Sequence, residues 1–465
     1  MLPKTFIYYN LFATVSFLTF SAIFVLFYWM FSKKNYDKTA NIVLVLLSFA
    51  LALSFSHSMF YGDVSSGYSS TIFNNLLTAF SLSLALISVI SSKDMMREKI
   101  KYGEYYFLLF TSLIGSVLLI NTQNLLNIFI SIELISMSLY GIIGLTKQNE
   151  NIESSLKYFI LGSFASVFMI IGLFFIYIQT ESVNLSAITK FYHLNPNSDL
   201  INISLMFFLA GVLFKLAIVP AHSWSLDVYC GAETNVVILM VGFVKLSVIT
   251  AVYKIFSSYS SFAISKAFYV FIIMTAVIPN LSALFTQNIK KIMIYSSISH
   301  AGYITLSFMG PEKWQAYFYA LVYSISAVGI FSAVSFLEKN YKNIEYSNIK
   351  GLYHKNPGVA LSLSVFLFSF AGVPPLSGFF AKFYSFYNAA IGGYKDLVLI
   401  SALASAISLY YYLKILIPIF FSKPEEETTL EFSRNNIAII YFTAIITVLM
   451  GIFSNPIIEL IKKTI

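Results

Sequence analysis

Apolar stretches of roughly 20 residues follow one another from end to end of the chain, each long enough to cross a bilayer as a helix. Short polar connections separate them. The pattern predicts fourteen spans, at about 7–31, 39–56, 69–92, 103–120, 124–145, 157–179, 201–224, 235–256, 262–286, 291–309, 314–337, 358–388, 397–421 and 436–461. The longest polar connections lie near 180–200 and 338–357, which leaves no room for a soluble domain. The first apolar segment, Phe6 to Met30, is too long for a signal-peptide core and lacks a small-residue cleavage site. It reads as the first span. The expected fold class is all-α, a polytopic membrane bundle, with no strands.

Two of these spans are interrupted. Between Gly211 and Asn235 a hydrophobic run carries Lys215, then Pro220, then His222, Trp224 and Asp227. Proline removes a backbone donor and breaks the helix. Between Ala371 and Lys382 the chain places Gly372, Pro374, Pro375 and Gly378 in mid-span, followed by Lys382 itself. Broken helix at membrane depth is tolerated only where protein or a water-filled cavity satisfies the freed backbone groups. The two breaks lie five spans apart, the hydropathy signature of an inverted repeat. The expected organisation is residues 1–102 for helices 1–3, 103–256 for a first five-helix repeat (spans 4–8), 257–421 for a second (spans 9–13), and 422–465 for a final helix.

Composition agrees with a membrane protein. The chain is 58% hydrophobic and 17% aromatic, with 11% charged residues, against about 25% charged in soluble domains. The net charge of +8 does not point to nucleic acid, because the basic residues sit mostly in loops. Lys33, Lys34 and Lys38, then Lys93, Arg97, Lys99 and Lys101, then Lys339, Lys342, Lys350 and Lys355 fall on one side of a fourteen-span chain. That side is expected to be cytoplasmic, with both termini on the other. Cys230 is the only cysteine, so neither a disulfide framework nor a cysteine metal cluster is expected. The five histidines, His57, His193, His222, His300 and His354, are scattered without ligand spacing. No metal, nucleotide or flavin site is expected.

The candidate chemistry lies in charges inside spans. A lysine at mid-bilayer costs ~2.5–3.5 kcal/mol on insertion scales. Lys215 and Lys245 lie too far from their span ends for snorkelling to explain them. Lys382 follows the second break. Glu133 shares a helix face with Ser136 and Tyr140. A carboxylate raises a lysine pKa and burial lowers it, so a Glu133–Lys215 pair that opens and closes would switch the lysine between holding and releasing a proton. Three residues are supporting candidates, each with a bland alternative. His222 fits a relay between lysines or a hydrogen bond to backbone at the break. His300 lies in a serine-rich setting that suits either a hydrated path or a structural role. Lys157 fits a peripheral relay or an interfacial anchor.

At this point the wording resembles a known family, the antiporter-like membrane subunits of respiratory complex I, NADH-quinone oxidoreductase. The matching pieces are SIELISMSLY around Glu133, ESSLKYFILGSFAS around Lys157, FKLAIVPAHSWSLDVYCGA around Lys215 and His222, the Lys245 segment, QNIKKIMIYSSISHAGY, and AGVPPLSGFFAKFYSF around Lys382. A lysine rather than a glutamate in the second broken helix favours the subunit N branch. The resemblance implies fourteen helices, two inverted half-channels and proton translocation driven by redox chemistry elsewhere. It implies Glu133, Lys215, Lys245 and Lys382 as the proton path, with His222, Lys157 and His300 supporting. The implied partners are other membrane-arm subunits, the lipid bilayer and protons, in a bacterial plasma membrane. NADH, FMN, iron–sulfur clusters and quinone would belong to other chains, with no cofactor in this one. One departure stands out. Where the family usually reads Gly-Ala-Pro-Thr-Pro, this chain reads Gly231-Ala232-Glu233-Thr234-Asn235.

Two rival functions remain. One is a subunit of a multisubunit cation/proton antiporter or membrane-bound hydrogenase, which shares these helices and lysines. The other is a free-standing solute transporter, which needs a substrate cavity at the midplane.

Overall fold

A computed structural model describes residues 4–32, 35–56, 62–64, 67–95, 103–195, 198–258, 262–341, 344–423 and 433–465. The chain opens with α1 (Lys4–Phe31) and α2 (Tyr36–Ser56), a ribbon of β1 (Gly62–Val64) and β2 (Tyr68–Ser70), then α3 (Ile72–Met95), α4 (Glu104–Asn121), α5 (Leu125–Gly144) and α6 (Asn149–Thr180). Next come α7 (Leu185–Leu194), α8 (Asp199–Lys215), α9 (Ser223–Gly231), α10 (Thr234–Leu239), a kinked segment at Met240–Val244, and α11 (Lys245–Ser258). The second part holds α12 (Phe262–Leu284), α13 (Ile289–Leu306), α14 (Trp314–Asn340), α15 (Leu352–Lys355), α16 (Pro357–Ala371) and α17 (Ser377–Ile391). It ends with α18 (Lys395–Phe421), α19 (Arg434–Ile452) and α20 (Ser454–Thr464).

The chain divides into two compact units: Met1–Leu216 with Phe243–Ala267 and Lys463–Ile465, and Ala217–Gly242 with Phe268–Lys462. In the first, small residues let helices approach closely, as packing in lipid requires. A Cβ on Gly172 would lie 2.5 Å from the Phe208 nitrogen, and one on Gly211 2.5 Å from the Ala165 carbonyl, so α6 and α8 meet nearly backbone to backbone. The α4–α5 turn is fastened by side chains. Asn124 caps α5 by accepting from the amides of Leu126 (2.8 Å) and Asn127 (3.3 Å). Lys254 of α11, buried, donates to the carbonyls of Ile120 (2.5 Å) and Thr122 (2.7 Å) and closes the end of α4. The β-ribbon pairs antiparallel, Gly62 opposite Ser70, and binds this turn through the Gly67 carbonyl and the Gln123 amide.

In the second unit, α14 is buried along nearly its whole length and packs on α10, α13, α16, α17 and α19. Asn288 caps α13 by accepting from the Lys291 amide at 3.0 Å. The α9–α10 junction is held by one link to α14 and one to Lys290 of α13. Ser335 donates to the Asn235 side chain at 2.9 Å. Lys290 is paired with Glu338 at 3.0 Å and donates to the Ala232 carbonyl at 3.0 Å. Asn235, one of the two residues standing where the family has proline, is therefore tied by a side chain.

The all-α membrane fold holds, with local corrections. Eleven described helices are long and apolar enough to cross a membrane. The other three expected spans are different in kind. Spans 201–224 and 358–388 are broken into α8/α9 and α16/α17. Span 291–309 is α13, of 18 residues, whose lysines, serines and histidine keep it below that apolarity. Span 436–461 is two helices, α19 and the amphipathic α20. Strands were not expected, yet β1 and β2 form a short ribbon, because three paired residues leave no detectable alternation. The connection near 180–200 contains α7. Lys33, Lys34, Arg97, Lys99, Lys101, Lys342 and His57 lie outside the described residues.

Candidate functional site

In the first unit the charges gather where α5, α6 and α8 meet. Lys215 is the last residue of α8, at the break, and is 9% exposed. Ala217 just beyond it has φ +59°, a left-handed conformation unusual for alanine. The Lys215 ammonium donates to the Tyr140 hydroxyl at 3.4 Å. It also lies 5.8, 5.7 and 5.7 Å from the ring centres of Tyr140, Tyr158 and Phe214, distances at which aromatic faces attract a cation. Glu133, half-buried one helix away, accepts from the Ser166 hydroxyl at 2.6 Å. Its charge acts on both Tyr140 and Lys215. Between the described atoms of Glu133 and Lys215 there is no direct ion pair, and each group bonds a hydroxyl instead.

Two residues not singled out from the sequence shape this centre. The single Ser166 proton is shared between the Glu133 carboxylate at 2.6 Å and the Gly162 carbonyl at 3.0 Å. Gly162, one turn earlier on α6, leaves the space that the Tyr140 hydroxyl fills: a Cβ there would stand 2.0 Å from that oxygen and 3.3 Å from the Lys215 nitrogen. The available signal was two small residues one turn apart inside a long apolar helix.

The second break is closed by its own lysine. α16 ends at Ala371, and Gly372 turns the chain at φ +86°. The end of a helix leaves carbonyls unsatisfied. Lys382, 6% exposed on α17, donates to the carbonyls of Phe370 (2.5 Å) and Ala371 (3.2 Å) and to the Ser405 hydroxyl (2.7 Å). The Gly378 amide donates to the Ser369 hydroxyl at 3.1 Å. No side chain fits at Gly378, since a Cβ would meet the Ser369 carbonyl at 1.8 Å. His300, buried on α13, contacts the Tyr319 hydroxyl at 3.0 Å through Nδ1 and packs on Phe370, whose carbonyl Lys382 holds.

The remaining candidates differ in setting. Lys245 starts α11 directly after a kink, at which Gly242 has non-helical φ −81° and ψ −109°. It is 4% exposed. His222 is half-buried, with Nδ1 3.2 Å from the Pro220 carbonyl, the backbone contact that the bland reading expects. Lys157 lies two turns inside α6, which begins earlier than expected, and pairs with Glu153 on the same helix at 2.8 Å. Both partners of that pair are largely exposed.

Residues 122–408, more than half the chain, match the family described as NADH:quinone oxidoreductase/Mrp antiporter, TM. The chain belongs to this family. Among its relatives are NADH-quinone oxidoreductase subunit N of Chloroflexus aggregans, 32% identical over 408 residues (84% of this chain, 82% of the relative), and subunit N 1 of Thermodesulfovibrio yellowstonii, 34% identical over 432 residues (89% and 91%). A chain of respiratory complex I from Thermus thermophilus superposes with TM-score 0.85 at 26% identity, covering 96% of this chain and 98% of that one. A chain of an archaeal membrane-bound sulfane sulfur reductase superposes with TM-score 0.88 at 21% identity over 97% and 96%, a likeness of fold. The region matched to the NADH:quinone oxidoreductase/Mrp antiporter family contains Glu133, Lys157, Lys215, His222, Lys245, His300 and Lys382.

Proposed function

We propose that this chain is the subunit N type of proton-translocating membrane-arm subunit in an NADH-quinone oxidoreductase. The observation that carries the reading is the pair of buried lysines at helix breaks, Lys215 and Lys382, each hydrogen-bonded to a hydroxyl, in a chain of this family. A buried amine with a hydroxyl partner has somewhere to send its proton and somewhere to receive one. Protons are taken up from the cytoplasm near the first break, pass Lys215 and Lys245 through water, and leave by Lys382. Glu133 biases Lys215, while Lys157, His222 and His300 support the path. NADH, FMN, iron–sulfur clusters and quinone act on other chains, whose redox chemistry drives this one. The chain crosses the membrane fourteen times, counting α13 and the two broken spans, with both termini on the non-cytoplasmic side.

A shared bracing supports the inverted repeats at 103–256 and 257–421. The start of span 5 bridges the loop after span 6, Asn124 with Asn184. The start of span 10 bridges the loop after span 11 in the same way, Asn288 with Glu345. Both asparagines also cap the helix that follows.

The test is to purify the native complex that contains this chain, identify its neighbours, and measure NADH-driven proton uptake in vesicles. Co-purification with NADH dehydrogenase activity, and uptake that Lys215→Ala and Lys382→Ala abolish, is the expected result. Co-purification with cation/proton antiporter chains and no NADH oxidation would overturn the reading in favour of the antiporter.

A further inference from the structure

Asn280 on α12 is fully buried and joins two sets of hydroxyls around Lys382. Its side-chain nitrogen donates to the Ala276 carbonyl at 2.7 Å and to the Tyr303 hydroxyl at 2.8 Å. Its side-chain oxygen accepts from the Tyr411 hydroxyl at 2.7 Å. The Ala276 carbonyl only accepts, so the amide is locked in this orientation. Both of its N–H donors are then used, and two proton positions follow. Tyr303 accepts from Asn280, so its own proton must point elsewhere. Tyr411 must donate to Asn280.

Each set continues beyond Asn280. On one side the Tyr303 ring centre is 5.3 Å from the Lys382 ammonium, which in turn donates to the Ser405 hydroxyl at 2.7 Å. On the other side Tyr411 adjoins Tyr412, whose hydroxyl meets that of Ser296 at 2.5 Å. A hydroxyl passes a proton by accepting one and releasing its own. An amide cannot do this without becoming an imidic acid, gaining a proton on oxygen from Tyr411 while losing one from nitrogen to Tyr303.

We propose that Asn280 is a positioning residue that sets the direction of the hydroxyl protons around Lys382 and insulates the Tyr303–Ser405 side from the Tyr411–Tyr412–Ser296 side. This rests on Lys382 lying in the proton path. A group at 280 able both to take and to give a proton would join the two sets and short-circuit the pump.

The experiment uses the whole complex in sealed vesicles, with two readouts: protons moved per NADH oxidised, and passive proton conductance at an imposed potential without NADH. Asn280→Asp, assembled to wild-type level, is expected to raise passive conductance several-fold and lower the protons moved per NADH while oxidation continues. Asn280→Ser, whose hydroxyl also relays, is expected to leak in the same direction. Asn280→Leu is expected to lose pumping without leaking. Tyr303→Phe added to Asn280→Asp is expected to close the leak. Asp and Ser variants as proton-tight as wild type would overturn the proposal, as would a leak that survives Tyr303→Phe. If Asn280→Asp does not assemble, Asn280→Ser alone decides. Lys382→Ala, measured beside them, separates the premise: normal pumping there would remove Lys382 from the path, whatever Asn280 does.

Discussion

Lys215 donates to the hydroxyl of Tyr140, 3.4 Å away, and not to Glu133. The carboxylate is held by Ser166 on the neighbouring helix. The acid and the base of the first centre are thus each tied to a neutral hydroxyl.

Gly162→Ala tests that arrangement with one methyl group. Alanine favours helix by ~1 kcal/mol over glycine, so α6 itself is not weakened. The new Cβ would stand 2.0 Å from the Tyr140 oxygen, and the ring must leave Lys215. Proton translocation in vesicles is expected to fall severalfold with the complex still assembled. Wild-type pumping would show that Tyr140 does not matter to Lys215.

Glu133 and Lys215 are expected to act as one unit. Glu133→Gln removes the charge that biases the lysine, and Lys215→Met leaves the carboxylate without a counter-charge. The double variant should pump little worse than either single one. Additive losses in the logarithm of the rate, with all three assembled, would make them independent sites.

Lys382→Ala is expected to lose pumping and also to free the carbonyls of Phe370 and Ala371, which the lysine now binds. Lys382→Arg separates these effects. Arginine can hold carbonyls but cannot release its proton in a protein. With the complex assembled in both variants, the arginine should therefore keep those carbonyls bonded while pumping does not return. An arginine variant that pumps normally would give Lys382 a purely structural role.

Lys157→Ala is expected to cost far less pumping than Lys215→Ala. Its partner Glu153 is on the same helix and both are largely exposed, a setting in which ion pairs contribute little. Equal losses in the two variants, measured in the same vesicles, would promote Lys157 to the central path.

A reporter active only in the cytoplasm, fused after Ile465, is expected to stay silent. Activity there would remove either the fourteen-span count or the assignment of sides.

The sequence by itself determined the membrane class, the approximate spans, both helix breaks and the unusual charges. Hydropathy, proline and an intramembrane lysine are properties of one short stretch, and water and lipid act on each stretch separately. They could be read at Pro220, Lys215, Lys382 and Glu133 without knowing any neighbour. Only the tertiary structure decided what those charges touch. Tyr140 and Lys215 are 75 residues apart, Glu133 and Ser166 33, and Asn280 and Tyr411 131. Serine and tyrosine occur throughout the chain, so nothing local distinguishes Ser166 from Ser163, which reaches only the Phe159 carbonyl of its own helix. The same holds for Lys254, whose burial against the end of α4 exists only once the helices pack. A hydrogen bond needs its two atoms within about 3 Å, and that distance is set by packing, not by the order of residues.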